Sequence, residues 1–238
     1  MTYNERHDGR KFDETRPINA EVGVIKNADG SAKFTIGKTT AFAAVYGPKN
    51  LHPRFLQNPT TGILRCHYNM MPFAGMGNRV RPGANRRSKE ISMVTQKALS
   101  PVLDLKDYPN AVVDVYIELP ETDAGSRCAG ICAASLALAD AGLVMKDLVA
   151  SIAVGRVDGK ILVDPDYYEE AYECDKGVAD IPVAIMPQTG KISLLQMDGL
   201  INPAELKEAL EIAQVAAKNI YEVQKAALKA KYSGDKNE

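Results

Sequence analysis

The chain has 238 residues, of which 45% are hydrophobic and 25% are charged, and its formal net charge is only −1. This composition is typical of a globular protein with a sizeable core and excludes a disordered chain, and no segment is long and apolar enough to predict a membrane span. Residues 1–8 are polar and lack the apolar region of a signal peptide, so we expect a cytoplasmic protein with no membrane partner.

Alternating apolar residues and turn signals predict a series of strands. They lie at residues 21–25, 32–36, 39–46, 62–70, 111–119, 149–157, 161–163, 181–186 and 192–196. Residues 71–84, rich in glycine, proline and arginine, are expected to form a loop. Helices are predicted from a Ser88 cap to about residue 99, at residues 126–141 and at residues 203–232, and residues 233–238 are expected to be a frayed tail.

The order of these elements favours the α+β class. Strands and helices are interspersed without strict alternation, so mixed sheets packed with helices are favoured over a doubly wound parallel sheet. No stretch has the composition of a linker, and the strand–helix pattern is weakly repeated. We therefore predict a single domain over residues 1–238 with an internal duplication.

The four cysteines, Cys66, Cys128, Cys132 and Cys174, lie in or beside apolar segments and lack paired Cys-x-x-Cys spacing. This pattern is typical of free thiols in a reducing compartment. Cys128 and Cys132 share one face of a predicted helix, which leaves a metal site as an alternative. Because the three histidines are isolated, we expect both cysteines to be buried in the core.

A short turn before the second predicted helix contains the residues of an anion site. Gly125 allows an anion to approach the backbone, Ser126 adds a hydroxyl donor, and Arg127 can bind two oxygens. A helix N-terminus also leaves backbone N–H groups unpaired and carries a partial positive charge. These features predict a phosphate-binding turn, with an ordinary capped turn as the alternative.

The near-neutral net charge conceals a strong segregation of charge. Residues 30–89 contain ten basic residues and no acidic residue. The ten are Lys33, Lys38, Lys49, Arg54, Arg65, Arg79, Arg81, Arg86, Arg87 and Lys89. A polyanionic partner such as RNA fits this asymmetry. The alternative is a basic surface that faces an acidic neighbouring subunit, and both interpretations can hold in an oligomer built around an RNA path.

Six short motifs follow one another along the chain. They are Asp8-Gly9-Arg10, Ala28-Asp29-Gly30-Ser31-Ala32, Ala44-Val45-Tyr46-Gly47-Pro48, Asn85-Arg86-Arg87-Ser88, Asp123-Ala124-Gly125-Ser126-Arg127 and Leu195-Gln196-Met197-Asp198-Gly199. Together they resemble the RNase PH family, and within it the catalytic ring subunits of the archaeal exosome, over residues 8–232. The resemblance implies an RNase PH-like α+β fold of the ribosomal S5 domain 2-like type with an internal duplication.

The resemblance also implies an activity and an assembly. The activity is phosphorolysis, in which inorganic phosphate as co-substrate attacks the last phosphodiester of a single-stranded RNA 3′ end and releases a nucleoside diphosphate. The assembly is a six-membered ring of three heterodimers with a non-catalytic RNase-PH-like paralogue, topped by RNA-binding cap subunits.

Residue by residue, the resemblance assigns Gly125-Ser126-Arg127 to the phosphate-binding turn of the family. Arg86 and Arg87 match the paired arginines that hold the RNA backbone near its 3′ end. Arg54 matches an arginine in the narrow neck through which single-stranded RNA is threaded. The alternatives are solvent-facing arginines at a helix start for the pair and an ordinary loop charge for Arg54.

The family also uses acidic residues, either as general acid to the leaving 3′ oxygen or as ligands of a divalent cation, expected to be magnesium. Asp180 matches the more constant of these acids, and a strand-start cap is its alternative role. A second acid is expected six residues earlier, where this chain has Cys174. Either the adjacent Asp175 takes that role through a longer loop, or the second acid is missing and the activity is reduced.

Three functions remain open at this point. The first is a catalytic ring subunit of an archaeal exosome. The second is a homohexameric RNase PH that trims tRNA 3′ ends, and the motifs at residues 46–48 and 195–199 argue against it. The third is a silent ring subunit that only binds RNA, and the presence of Asp180 together with the phosphate-binding turn argues against it.

Overall fold

The computed structural model describes residues 3–174 and 177–233. The strands are β1 (Ile18–Val22), β2 (Gly30–Ile36), β3 (Thr39–Asn50), β4 (Ile63–Met70), β5 (Ala111–Glu121), β6 (Ala150–Val157), β7 (Lys160–Val163), β8 (Val178–Met186) and β9 (Lys191–Leu195). The helices are α1 (Arg86–Leu99), α2 (Ser126–Asp140), α3 (Tyr167–Glu170) and α4 (Pro203–Tyr232). The predicted α+β class is confirmed.

The strands form two sheets, one from each half of the chain. The first has the order β1-β2-β3-β5-β4, and the second has the order β7-β6-β8-β9. β4 pairs with β5 in parallel, whereas β3 pairs with β5 antiparallel. The first sheet is therefore mixed, as predicted.

Helix α2 lies between the two sheets and contacts β2 and β3 on one side and β6 on the other. Nearly all of its residues are buried, which explains why its sequence is apolar on every face. Its many alanines allow the helix backbone to approach both sheets closely. The N-terminus of α2, which follows the predicted anion turn, is thus held at the centre of the molecule.

The main hydrophobic cluster crosses from one half of the chain to the other. It joins Phe34 and Ile117 of the first sheet to Ile152 and Val183 of the second. Helix α4 packs on β6 and β1 and so also contacts both sheets. This shared core agrees with the single-domain organisation, which stays a prediction.

The predicted strand at residues 21–25 is wrong by three residues, because β1 ends at Val22. Gly23 has φ +76°, which takes the chain out of the extended conformation. Beyond it, the Ile25 N–H donates to the side-chain oxygen of Ser31 at 2.9 Å instead of joining the sheet. A backbone reversal therefore ends the strand where the apolar pattern continues.

Helix α1 is capped by Asn85, so the predicted Ser88 cap is wrong. The Ser88 N–H donates to Asn85 Oδ1 at 2.8 Å, and the Asn85 N–H donates to Ser88 Oγ at 2.9 Å. This reciprocal pair is a capping box, in which Ser88 is the third helical residue. Arg86 and Arg87 consequently occupy the first turn of the helix.

Two differences in the second half affect the site. β8 begins at Val178, before the predicted start at residue 181, so Asp180 lies within the strand. The short helix α3 was not predicted, because one turn is too short to show a helical period.

The expectation for the cysteines is confirmed. All four cysteines are free, and Cys66, Cys128 and Cys132 are buried as expected. Within the described ranges, no helix has the length and apolar character needed to span a bilayer. Residues 234–238 of the predicted frayed tail lie outside the described residues.

Candidate active site

A cleft of about 640 Å³ opens at the N-terminus of α2 and is bordered by both halves of the chain. One side comes from residues 75–80, the start of α1 and the turn before α2. The other side comes from α3, β8 and residues 196–199. Gly125, Ser126, Arg127, Arg87 and Asp180 all line this cleft, so the structure brings together most of the residues that the sequence singled out.

The turn before α2 exposes backbone donors to the cleft. Gly125 is the N-cap residue and has φ +61°, and no side chain caps this end of the helix. A Cβ at Gly125 would meet no atom closer than 3.5 Å, so the left-handed conformation, and not crowding, favours glycine here. The uncapped N–H groups and the partial positive charge of the helix favour an anion at this position.

Side chains from distant parts of the sequence hold this turn in place. Thr39 Oγ1 donates to the Ala124 carbonyl and accepts from the Asp123 N–H, each at 2.8 Å. The buried Arg16 donates from its guanidinium to the Asp123 carbonyl oxygen. Arg16 also makes a bidentate contact with Asp164, at 2.8 and 2.6 Å. The turn is therefore rigid before any ligand arrives.

Arg127 is oriented by two neighbours from other elements. Its Nη1 donates to Gln196 Oε1 at 2.5 Å and lies 3.6 Å from Glu90 Oε1. Gln196 Nε2 in turn donates to Glu90 Oε1 at 3.0 Å. The sequence had marked Gln196 as part of a motif without assigning it a role, and the structure places it as the residue that positions Arg127.

The two paired arginines are not equivalent. Both are exposed in the first turn of α1, but Arg87 lines the cleft and Arg86 is not among its lining residues. The positive charge of Arg87 reaches the acidic side of the cleft, where it acts to lower the pKa of Glu170 and of Asp180. The structure thus places one of the pair directly against the site.

Arg54 lies away from the cleft lining, in the short 3₁₀ turn Arg54–Leu56. Its side chain is exposed, and the neighbouring Phe55 is 84% exposed. Neither residue makes an ion pair or a ring contact with the residues that the structure describes. The assignment of Arg54 to an RNA-threading neck stays a prediction.

Asp180 is the buried acid of the cleft. Burial raises its pKa to about 6, and the charge of Arg127 opposes that rise while the charge of Asp198 adds to it. Its backbone exchanges hydrogen bonds with Asp198, at 2.9 and 2.8 Å. Its Oδ1 accepts no hydrogen bond from any described residue. A desolvated carboxyl with an unused oxygen is suited to proton transfer or to binding a cation.

This close pairing of backbones requires a glycine at position 199. Gly199 has φ +99°, and a Cβ there would lie 2.3 Å from the Val178 carbonyl oxygen. The motif at residues 195–199 therefore keeps its glycine for packing against β8, next to Asp180.

A second acid in the cleft is Glu170, which the sequence analysis did not assign to the site. Burial raises the pKa of Glu170 to about 7, with a further contribution from the negative charge of Asp180. The nearby Gly125 backbone amide and the positive charges of Arg87 and Arg16 act to lower this pKa. Glu170 thus lies in the electrostatic environment of both the anion turn and Asp180.

The expected position of that second acid is not in the cleft lining. Cys174 is outside it, and its Sγ contacts the Gly177 carbonyl oxygen at 3.4 Å. Asp175, the predicted replacement, lies outside the described residues. The only sequence signal for Glu170 is that residues 169–173 contain three glutamates. Apolar spacing could not place Glu170 in the cleft, since its location depends on how the chain after Asp164 folds.

Across the described ranges, no three His, Cys, Asp or Glu side chains form a ready cation site. Asp180 with its unpaired Oδ1 and Glu170 offer two carboxylates within one cleft. Magnesium is commonly bound by one or two carboxylates together with waters and substrate phosphates. The residues present therefore fit a magnesium ion that arrives with a phosphate ligand.

Comparisons with known proteins show the family and the fold. Two family models match the chain, one for domain 1 of the RNase PH 3′ exoribonuclease family over residues 14–144 and one for domain 2 over residues 147–216. The crystal structure of Rrp46 from rice (Oryza sativa) superposes with a TM-score of 0.83 at 23% identity, covering 94% of this chain and 100% of that chain. That likeness is one of fold.

Curated relatives are similar over nearly the whole chain. The exosome complex component Rrp41 of Methanopyrus kandleri is 51% identical, over 97% of this chain and 94% of the relative. The exosome complex component Rrp41 of Thermococcus kodakarensis is 53% identical, over 96% of this chain and 90% of the relative. Because both family models match in order over most of its length, the chain belongs to the RNase PH family of 3′ exoribonucleases.

Proposed function

We propose that this protein is a phosphate-dependent 3′-to-5′ exoribonuclease and the catalytic subunit of an exosome ring. The observation that carries the proposal is the single cleft that holds an uncapped helix N-terminus, Arg127 and the desolvated Asp180. Its relatives named exosome complex component Rrp41 support the assignment to a ring. The cell compartment we propose is the cytoplasm, where the four free thiols stay reduced.

The cleft suggests how its residues divide the reaction. Gly125, Ser126 and Arg127 bind the attacking phosphate and reduce its repulsion from the RNA backbone, which Arg87 contacts. A phosphate oxygen attacks the last phosphodiester, the bond to the 3′ oxygen breaks, and a nucleoside diphosphate leaves. In this proposal Asp180 protonates that 3′ oxygen. The positive charge on the first side of the cleft thus meets the proton donor on the second.

A divalent cation is the proposed cofactor, and magnesium is the candidate. Asp180 and Glu170 are the residues that would hold it, since both are buried carboxylates of the same cleft. When bound, the ion would neutralise charge on the phosphates. Asp175 remains a candidate for the second carboxylate.

The proposed partners are a non-catalytic RNase-PH-like paralogue, with which the chain forms a trimer of heterodimers, RNA-binding cap subunits and single-stranded RNA 3′ ends. The cleft retains a desolvated acid beside an anion turn, which supports a catalytic subunit over a silent scaffold. The chain would then supply the reacting groups of the ring.

The test mixes the chain with and without its paralogue and follows poly(A) shortening with and without inorganic phosphate. We expect shortening that requires phosphate and yields nucleoside diphosphates. Because phosphorolysis conserves the energy of the phosphodiester, excess ADP should reverse the reaction and extend an RNA primer. Nucleoside monophosphates as the main product would overturn the proposal, and phosphate-independent shortening would do the same.

A further inference from the structure

Helix α3 places two adjacent tyrosines in different environments. Tyr167 lines the cleft and is 40% exposed. Tyr168 is not among the lining residues, is 56% exposed, and packs edge-on against His7 and against Tyr167, with ring centroids 5.3 and 6.0 Å apart. The reaction described above uses neither ring. The partly exposed ring of Tyr167 at the substrate cleft therefore needs an explanation.

The backbone that carries Tyr167 is firmly held. The Tyr167 N–H donates to Asp123 Oδ1 at 3.1 Å, which ties α3 to the anion turn. Asp166 caps α3 by accepting from the Tyr168 and Glu169 N–H groups, both at 3.0 Å. The buried Glu169 pairs with Arg6 at 2.7 Å. A ring on such a support is positioned before RNA binds, which reduces the entropy lost on stacking.

The loop at residues 75–80 lies close to the hydroxyl end of this ring. A Cβ placed on Gly77 would lie 3.4 Å from the Tyr167 hydroxyl, so the phenol ring extends across the cleft to the loop at residues 75–80. Met76 in that loop is 46% exposed and also lines the cleft. An aromatic face and a thioether beside a phosphate-binding turn are suited to the flat apolar surface of a nucleobase.

We propose that the ring of Tyr167 stacks on a nucleobase near the RNA 3′ end and holds the terminal nucleotides regardless of base identity. The inference rests on the proposed function, because it takes RNA as the ligand of this cleft. Every nucleobase has a π-face, so stacking tolerates any sequence. This is the property that a processive degrading enzyme needs from its contacts with bases.

The test compares Tyr167→Ala and Tyr167→Phe with the matched control Tyr168→Ala in the assembled ring. Two RNAs are used, an oligoadenylate and the same chain with abasic nucleotides at its 3′ end. Loss of a base–aromatic stack should raise KM, and the Kd measured without phosphate, by about 5-fold to 150-fold. Since stacking is present equally in the bound state and the transition state, kcat should change by less than about twofold.

Tyr167→Phe, which keeps the ring, and Tyr168→Ala should behave like the wild type on both RNAs. On the abasic RNA, Tyr167→Ala should match the wild type, because the partner of the ring is gone. An equal loss on abasic and normal RNA would overturn the inference, and so would a wild-type Kd for Tyr167→Ala. A wild-type ring that fails to shorten RNA with phosphate would instead overturn the proposed function, since the Kd comparison still measures stacking.

Discussion

The two sides of the cleft differ in how their charges meet water. The side from the first half of the chain presents Arg87 at the surface and uncapped N–H groups at the start of α2. The side from the second half carries half-buried acids, and partial burial raises the pKa of both Asp180 and Glu170. Exposed cations bind a polyanion at little cost, whereas buried acids are poised to exchange protons. The comparison supports the proposal that the first side binds substrate and the second side supplies the reacting acid.

The largest expected effect is the loss of chemistry without loss of binding. Asp180→Asn should lower turnover by about 10²–10⁴-fold, because it removes the group placed at the leaving oxygen. RNA affinity, measured by fluorescence anisotropy without phosphate, should stay close to that of the wild type. Near-wild-type turnover would show that Asp180 has only a structural role. It would also contradict the assignment of binding to the first side and reaction to the second.

The next largest effect is expected at Glu170, the other acid on the second side of the cleft. Glu170→Gln should lower turnover by about 10–100-fold, a loss like that seen when a supporting group of a catalytic site is removed. Because its pKa is about 7, the variant should also lack an inflection near neutral pH in the activity profile. The matched control is Asp175→Asn, and a loss confined to that control would assign the second acid to Asp175.

The buried acid should also lower stability. The folded-state pKa of Asp180, about 6, lies above the ordinary value of 3.8, so the folded protein binds more protons between these values. Stability due to this group is therefore greatest below about pH 4 and decreases as pH rises to about 6. Asp180→Asn should then raise the free energy of unfolding by about 1–3 kcal/mol at pH 8, and by less near pH 4.5.

Denaturant unfolding at the two pH values measures this difference. An equal gain at both would mean that the asparagine acts through packing and not through charge. A loss at pH 8 would show that the attraction of Arg127 outweighs the burial of the carboxyl.

A smaller effect separates the paired arginines on the first side. Each lost phosphate contact lowers the log–log salt slope of RNA binding by about 0.7 for single strands. Arg87→Ala should show this decrease for unrelated sequences alike, since phosphates carry no base information. Arg86→Ala should show less, because Arg86 does not line the cleft. An unchanged slope in the double variant would instead indicate that the basic segment at residues 30–89 forms a subunit interface.

The smallest effect concerns Arg54, which lies away from the cleft. Arg54→Ala should impair degradation of long RNAs and leave RNAs of a few nucleotides nearly unaffected, because only long chains reach a distant neck. Rates on a length series measure this. A uniform loss on long and short RNAs would place Arg54 elsewhere.

The fold and the anion turn could be predicted because their signals are local. The apolar periods placed most strands and helices within a few residues, and Gly125-Ser126-Arg127 are adjacent in the chain. Errors arose where local backbone geometry set the boundary of an element. The positive φ of Gly23 ends β1, and the capping box of Asn85 sets the start of α1. Such boundaries depend on geometry that apolar spacing does not record.

The sequence by itself determined that residues 30–89 are basic and that the turn at residues 125–127 can bind an anion, and the family resemblance predicted Asp180 as the acid. Only the tertiary structure decided that Glu170 reaches the cleft, that Arg87 and not Arg86 lines it, and that Gln196 orients Arg127. The physical reason is that these contacts join residues far apart in the sequence, which local patterns do not record. The loop that carries Glu170 is held by Arg6 and Arg16 from the start of the chain, through buried contacts that form only when both halves share one core.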